Sequence, residues 1–280
     1  MIELPEGLVL AEQLDRELRD KRITDVRANT SPHRFAWYDG DPAAYPLRFT
    51  GREIEGAHSY GGKVHLRLKG SGGFLFADGI CLRLVPAGGT IPKKHQLYLE
   101  FEDGTRLVGS VQMYGALIGY DSLPVSAYDE AARQKPCPLS DDFSPVYFDG
   151  LLRSVKPSLS AKAFLATEQR IPGLGNGVLQ DILFRAGVHP KRAVSSLSSA
   201  DQDALFGSVK TTLREMAEAG GRNTEKDLYG RPGGYFTLLC RNTVLYPCPH
   251  CGASLVKEAY LGGSIYFCPS CQPSTQYYKR

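Results

Sequence analysis

The first part of the chain places apolar residues at helical spacing. Leu8, Ala11, Leu14 and Leu18 recur every three or four positions with charged residues between them, which predicts a helix over residues 4–20. Short runs of strand-forming residues follow, and Gly-rich or Asp-Gly turns separate several of them. The predicted strands cover residues 23–28, 34–38, 63–68, 74–76, 80–84, 96–101 and 106–111. Such a series predicts an antiparallel β-sandwich or barrel.

The pattern changes where the predicted strands end. Residues 121–150 are rich in Pro, Ser and Asp and are typical of a linker. Helical spacing then returns at 160–169, where Ser160 is a candidate N-cap, and again over 176–187 and 199–219. A tight Pro-Gly-Leu-Gly turn separates the first two of these helices. The second half of the chain is therefore expected to be helical.

A glycine-rich segment follows the last of these helices. Residues 220–234 contain five Gly and no apolar periodicity, so we predict a mobile loop there. The expected fold class is a multidomain α+β protein, and its parts follow the chain in order. They are a β-sandwich domain with a flanking helix (1–120), a linker (121–150), a helical domain (151–234) and a cysteine-containing ribbon (235–280).

Charge divides the chain into two unlike halves. Residues 1–150 hold 17 Lys and Arg against 21 Asp and Glu, whereas residues 151–280 hold 16 against 9. A basic second half fits a grip on duplex nucleic acid, and ordinary solvated charge explains it equally well. No run approaches the roughly 20 apolar residues of a membrane span. We expect no membrane partner and a cytoplasmic location, associated with the nucleoid if the protein is bacterial.

Four of the seven cysteines lie close together near the C-terminus. Cys248 and Cys251 form one Cys-x-x-Cys knuckle, and Cys268 and Cys271 form a second after 16 intervening residues. Two such knuckles place four thiolates around one Zn²⁺, and they stabilise a hairpin too small to bury a core. We predict one structural zinc ion. A zinc-stapled interaction module would show the same spacing, so the ribbon leaves the function open.

A compact turn joins two of the predicted helices. The glycines between Pro172 and Gly175 allow a close approach of the backbone, and Asn176 opens the next helix. Free amides at a helix N-terminus form an anion site, to which Asn176 can add a donor. A helical hairpin with an Asn cap fits the same residues, so they leave both interpretations open.

Three segments together resemble the formamidopyrimidine-DNA glycosylase / endonuclease VIII (Fpg/Nei) family. The stretch IPGLGNGVLQDILFRAGVHPKRAVSSLS at 171–198 resembles its helix–two-turn–helix segment. MIELPE at the N-terminus resembles its Pro-Glu-Leu-Pro-Glu, and the ribbon ending in YFCPSCQ resembles its zinc finger. The resemblance implies a cleft between two domains that binds duplex DNA with a damaged base or an abasic site. It also implies a base-excision repair enzyme, expected to be a monomer, that flips a base and cleaves its N-glycosidic bond.

The resemblance assigns roles to particular residues. Glu3 matches the family's catalytic carboxylate and Glu6 its second acid, although both also suit the first turn of a helix. Lys63 matches the lysine that contacts the phosphate at the lesion, and Asn176 matches the phosphate-binding asparagine.

Three further residues match the family's filler of the gap left by a flipped base. Met113 and Tyr114 lie where the family carries Arg-Phe, and Ile80 stands where it carries Met. These three residues are therefore expected to contact DNA near the lesion.

The chain departs from the family pattern at two positions. Family members attack the sugar C1′ with the amine of an N-terminal Pro, but Ile2 stands here. Initiator Met is removed before small residues, so we expect Met1 to stay and to displace the free amine by about 3.5 Å of chain. The second departure is Gly263, which replaces an Arg that clamps the lesion phosphate.

These departures favour different chemistry at the same sugar-phosphate. Burial between Ile2 and Leu4 is expected to raise the pKa of Glu3, and a carboxylate can activate water or protonate a leaving base. Water directed by Glu3, with Glu6 and Lys63 as helpers, would give hydrolysis with little or no strand cleavage. A protein that binds lesions or abasic sites without catalysis is the alternative. The sequence does not identify the damaged base.

Overall fold

The computed structural model describes residues 1–274, so residues 275–280 of the predicted ribbon lie outside the described part. Helix α1 (Leu4–Leu18) follows the predicted helix closely. Its Leu10, Leu14 and Leu18 are buried against the sheet that follows, as the spacing of its apolar residues requires.

Seven strands form one sheet with α1 and the short helix α2 (Tyr45–Phe49) packed against it. The order is β1-β6-β7-β5-β4-β3, each neighbour antiparallel, and β2 pairs with β7 in parallel. The strands are β1 (Ile23–Ala28), β2 (Ala36–Trp37), β3 (Ile54–Tyr60), β4 (Lys63–Leu68), β5 (Gly73–Val85), β6 (Leu97–Phe101) and β7 (Arg106–Tyr120).

The sheet curls around its own core. The two ends of the strand order meet where the Ile23 amide donates to the Arg52 carbonyl at 2.9 Å. Phe49, Phe74 and Phe76 are fully buried inside the curl. The predicted sandwich or barrel is therefore one continuous sheet that curls over one main hydrophobic core.

The observed strands differ from the predicted ones at two places. The runs at 74–76 and 80–84 belong to the single long strand β5, which is interrupted by a bulge between Asp78 and Ile80. Strand β3 was not predicted, because Gly56, His58 and Ser59 weaken its apolar pattern. A bulge interrupts the alternation of apolar and polar residues without ending the strand, so the sequence pattern does not reveal that the two runs belong together.

The segment predicted as a linker carries two helices, α3 (Ala127–Gln134) and α4 (Pro145–Arg153). Phe143 and Phe148 are buried in the second hydrophobic core, together with residues of the helical domain. The chain therefore begins to build its helical domain before residue 151, the boundary that composition predicts.

The helical domain contains α5 (Ala161–Ala166), α6 (Val178–Arg185) and α7 (Ser199–Glu218). Leu183 and Leu213 are fully buried in its core. A hairpin of β8 (Val256–Tyr260) and β9 (Gly263–Phe267) packs against α6. Nowhere in residues 1–274 does a helix combine the length and apolar character that a membrane span needs.

The glycine-rich segment at 220–234, predicted as a mobile loop, is docked on the N-terminal domain. Leu228 is fully buried in the core of the curled sheet, and its amide donates to the Gln13 side chain at 2.9 Å. Tyr229 donates to Glu17 at 2.6 Å and accepts from Arg16 at 2.8 Å. The mobility prediction is wrong because contacts with α1, more than 200 residues away in sequence, hold the loop.

Candidate active site

A cleft of about 490 Å³ opens where three parts of the chain meet. The N-terminal segment and the sheet form one side, the turn before α6 forms another, and the tip of the β8–β9 hairpin closes the third. The cleft brings together the three predicted residues Glu3, Lys63 and Asn176. Met1, Asp78, Met113, Tyr114, Lys162 and Gly263 also contribute to its walls.

Glu3 links the two domains across the floor of this cleft. Its Oε1 accepts from the Gly177 amide at 2.8 Å and its Oε2 accepts from the Val178 amide at 2.7 Å. These are free amides at the N-terminus of α6, so Glu3 fills the capping role that was one of the two interpretations open for Asn176. Burial raises the pKa of Glu3 against the opposing effect of Arg222, whose guanidinium lies 3.5 Å away. A carboxyl group with a raised pKa is better suited to giving a proton than an ordinary surface carboxylate.

Glu6 is bound to Arg222 beneath the cleft. The Arg222 guanidinium donates to both carboxylate oxygens, at 2.9 and 2.8 Å, and the Arg222 amide donates at 3.1 Å. Burial opposes ionisation of Glu6, but Arg222 holds its pKa below the usual range. Glu6 lines a smaller neighbouring cavity of about 100 Å³ instead of the main cleft. The two acids stay coupled, because the Glu3 amide donates to Glu6 Oε2 at 3.3 Å and Arg222 contacts both carboxylates, but only Glu3 lines the main cleft.

The N-terminal amine is engaged with the docked loop. The Met1 ammonium is paired with the Glu225 carboxylate. The Ile2 amide donates to the Asp78 carbonyl at 2.7 Å, so the segment that begins with Met1 is anchored on strand β5 at its bulge. In this ion pair the amine faces the Glu225 carboxylate, and in its ammonium form it has no lone pair with which to attack a sugar carbon.

Lys63 and Asp78 lie near the same end of the β4–β5 ladder. Val64 of β4 pairs with Phe76 of β5, and the nearby residues Lys63 and Asp78 both line the cleft. Burial raises the pKa of Asp78, while Lys63 and the N-terminal ammonium oppose the rise. Sequence reasoning missed Asp78, because nothing local distinguishes it from other acids in the chain.

Asn176 and Gly263 face each other at the opposite end of the cleft. Asn176 Nδ2 donates to the Ser264 carbonyl at 3.0 Å, while Oδ1 is buried without a partner among residues 1–274. A Cβ placed on Gly263 would lie 3.4 Å from the Asn176 side chain, which is ordinary van der Waals contact. Position 263 therefore accepts a Cβ without a clash, beside the side chain of Asn176.

The three expected gap-filling residues separate in the structure. Met113 is 68 % exposed and Tyr114 lies beside it, with its ring 5.7 Å from that of the exposed Trp37. Ile80 is 5 % exposed and belongs to the core of the sheet. The prediction that Ile80 contacts DNA is therefore wrong, because its side chain is packed in the core of the sheet.

Two residues that sequence reasoning missed also border the site. Lys162 is buried against the hairpin, where its ammonium donates to the Tyr260 carbonyl and burial lowers its pKa. Trp37 is 45 % exposed beside Tyr114. Trp37 is the single Trp of the chain, and that rarity is the sequence signal that could have drawn attention to it.

The four cysteines of the ribbon come together as their spacing predicts. The sulfur atoms of Cys248, Cys251, Cys268 and Cys271 all lie within 4.8 Å of one another. The Cys248–Cys271 sulfur separation is 3.8 Å and that of Cys251 and Cys268 is 3.4 Å. Tetrahedral zinc with Zn–S bonds of about 2.3 Å needs sulfur separations of about 3.8 Å, so the cluster fits that ion.

Comparison with known proteins identifies the family of this chain. The family model of the formamidopyrimidine-DNA glycosylase H2TH domain matches residues 135–227. Formamidopyrimidine-DNA glycosylase of Geotalea daltonii is 30% identical over 284 aligned residues, which cover 97% of this chain and 100% of the relative. The chain belongs to the formamidopyrimidine-DNA glycosylase family.

Solved structures of the family share its fold with this chain. The MutM (Fpg) protein of Thermus thermophilus has a TM-score of 0.79 at 25% identity, covering 97% of this chain and 99% of that one. Lactococcus lactis Fpg in complex with DNA containing an abasic site has a TM-score of 0.84 at 22% identity, covering 97% and 100%. The family fold therefore extends over nearly all of this chain.

Proposed function

We propose that this family member is a base-excision DNA glycosylase that releases a damaged base by hydrolysis. Family membership supports the glycosylase class, and the engaged N-terminal amine supports water as the nucleophile. The observation that carries the mechanism is the pairing of the Met1 ammonium with Glu225 beside a cleft that contains Glu3. Strand cleavage coupled to base release is expected to be weak or absent.

Glu3 is the acid–base group on which this reaction depends. Its carboxyl group is buried at the cleft floor, its pKa is raised by that burial, and two backbone amides fix its position. A positioned carboxyl group of this kind contributes roughly 10²- to 10⁴-fold to a rate. Glu6 acts indirectly, since it holds Arg222 beneath Glu3, and Lys63 supplies positive charge at the cleft wall.

The partner is duplex DNA with a damaged base or an abasic site, bound by a single copy of the chain. Lys63 and Asn176, at opposite ends of the cleft, are proposed to contact the backbone of the damaged nucleotide. Exposed Met113, with Tyr114, is proposed to enter the gap in the stack. Phosphate contacts of this kind make affinity fall steeply with salt.

One structural zinc ion is proposed at the four cysteines. The observed sulfur separations suit a closed tetrahedral site, in which no position remains for a substrate. When bound, the ion supplies only cross-linking of the hairpin. The hairpin in turn presents Ser264 to Asn176 and forms the third wall of the cleft.

A duplex carrying a formamidopyrimidine lesion (Fapy-dG) tests the proposal, because Lactococcus lactis Fpg has been solved with DNA containing this lesion. Released base and nicked strand are measured separately, the nick before and after alkali treatment. We expect base release with nicks that form only after alkali, and loss of release in Glu3→Gln. Equal nicking before and after alkali would contradict hydrolysis. Binding with no release from this or other lesions would favour the non-catalytic alternative.

A further inference from the structure

Burial raises the pKa of Glu3, which suits this carboxyl group to giving a proton and not to taking one from water in the cleft. Both of its oxygens accept backbone amides of α6, and the residue is only 4 % exposed. Glycoside hydrolysis by water uses two carboxyl groups, one that protonates the leaving group and one that deprotonates the water. A raised pKa suits Glu3 to the first of these tasks, so the second task requires another group.

Asp78 is the other carboxyl group that lines the main cleft. Burial raises its pKa, and its carboxylate accepts no hydrogen bond from residues 1–274. Its oxygens therefore remain available to a water molecule or a nucleotide. Glu6, the alternative, has both oxygens bound to Arg222 and lines the neighbouring cavity.

The backbone holds Asp78 in an uncommon conformation. Its φ is 65°, in the left-handed region, at the bulge that interrupts β5. Residues other than Gly are uncommon there, and such conformations cluster at functional sites. The Asp78 carbonyl accepts from the Ile2 amide at 2.7 Å. That bond ties Asp78 directly to the segment that carries Glu3.

The charges around the two carboxyl groups differ. Lys63 and the Met1 ammonium face Asp78 and favour its ionised form, and Tyr114 is the remaining titratable neighbour. Glu3 is more completely buried than Asp78, and this burial favours its neutral form. Burial raises the pKa of both groups, but only Asp78 lies beside cations at the cleft wall with carboxylate oxygens free to accept a proton from water.

We propose that Asp78 is the general base of this enzyme and that Glu3 is its general acid, an inference that rests on the proposed hydrolytic function. The water oxygen bonds to C1′ as the C1′–N bond breaks, and the bond pair leaves with the base. Asp78 takes the proton of the water, and Glu3 gives its proton to the departing base. The products are a free base and an abasic sugar with a C1′ hydroxyl group, so atoms and charge balance.

Asp78→Asn tests the assignment, because Asn tolerates the left-handed backbone and leaves the carbonyl bond to Ile2 in place. Base release from the Fapy-dG duplex should fall at least about 100-fold with DNA affinity retained. Asp20→Asn is the matched control, since Asp20 also has a left-handed φ, 64°, but pairs with Lys69 on the protein surface. The control should keep the wild-type rate.

A pH profile separates chemistry from structure. Wild-type kcat/KM should fall on the acid side as Asp78 becomes protonated, and this limb should be missing from the residual activity of Asp78→Asn. A variant that keeps the wild-type rate while wild type hydrolyses without an amine adduct overturns the role of Asp78 and leaves hydrolysis intact. An amine adduct in wild type overturns both. Loss of DNA binding in Asp78→Asn would make its role structural and also overturn the assignment.

Discussion

Two segments of the chain, the β8–β9 hairpin and the docked loop at 220–234, support the cleft in different ways. The β8–β9 hairpin is held by four cysteines close to it in sequence and touches the cleft at Gly263. The docked loop at 220–234 is held by contacts with residues more than 200 positions away, among them Glu6 and Gln13. The first support is visible in a sequence, whereas the second exists only once the chain has folded.

Loss of the metal-binding cysteines should break the first support. We expect Cys251→Ser to unfold the ribbon, because structural zinc contributes roughly 10–16 kcal/mol to the folding of finger peptides. DNA affinity should fall by more than about tenfold at fixed salt, and elemental analysis should show the loss of zinc. Cys240→Ser, outside the cluster, is the control. Full DNA affinity in a zinc-free variant would show that the hairpin is not part of the grip.

Loss of the buried guanidinium should break the second support. Arg222→Met leaves Glu6 buried without its cation and should cost about 3–5 kcal/mol in the free energy of unfolding. Urea titration measures the change. Arg231→Met, an exposed cation of the same loop, is the control and should change little.

The effect of Arg222→Met should depend on pH in a definite direction. The pKa of Glu6 in the folded protein is below its ordinary value of 4.5, so its stabilising contribution is complete above that value and is lost as pH falls through the folded value. The difference between wild type and variant should shrink as pH falls below about 4.5. A constant difference would place the cost outside the ion pair.

These two regions also show how far sequence carries the account. Helix α1, the cysteine cluster and the convergence of Glu3, Lys63 and Asn176 followed from spacing and family resemblance. Asp78 could not be predicted, because its role depends on a bulge and on charges from other segments. Ile80 was wrongly expected to contact DNA for a related reason, since a motif match does not show whether a side chain is buried.

Filling the empty position on the hairpin should sharpen the first support. We expect Gly263→Arg to add about one phosphate contact, which would steepen the dependence of log affinity on log salt by about 0.9. The Cβ has room beside Asn176, at 3.4 Å. Gly207→Arg adds the same charge on α7, where its Cβ meets nothing within 4 Å, and is the control. Equal salt slopes in the two variants would show that position 263 does not face DNA.

The smallest effect is expected at the contact between the loop and the N-terminus. Glu225→Gln should change the free energy of unfolding by less than about 1 kcal/mol, because the pair it forms with Met1 is partly exposed. Base release should persist, because the carboxyl groups proposed to catalyse it line the cleft and are unchanged. Thermal unfolding and single-turnover release measure the two quantities. A large loss of stability would mean that this pair holds the loop.

Borohydride trapping on the Fapy-dG duplex and on an abasic duplex tests the central claim most directly. Reduction captures a covalent protein–DNA adduct whenever an amine forms an imine or iminium with C1′. The engaged Met1 amine and the carboxyl groups of the cleft predict base release with no trapped adduct in wild type. A strong adduct that forms as fast as the base is released would contradict hydrolysis and show that an amine is the nucleophile.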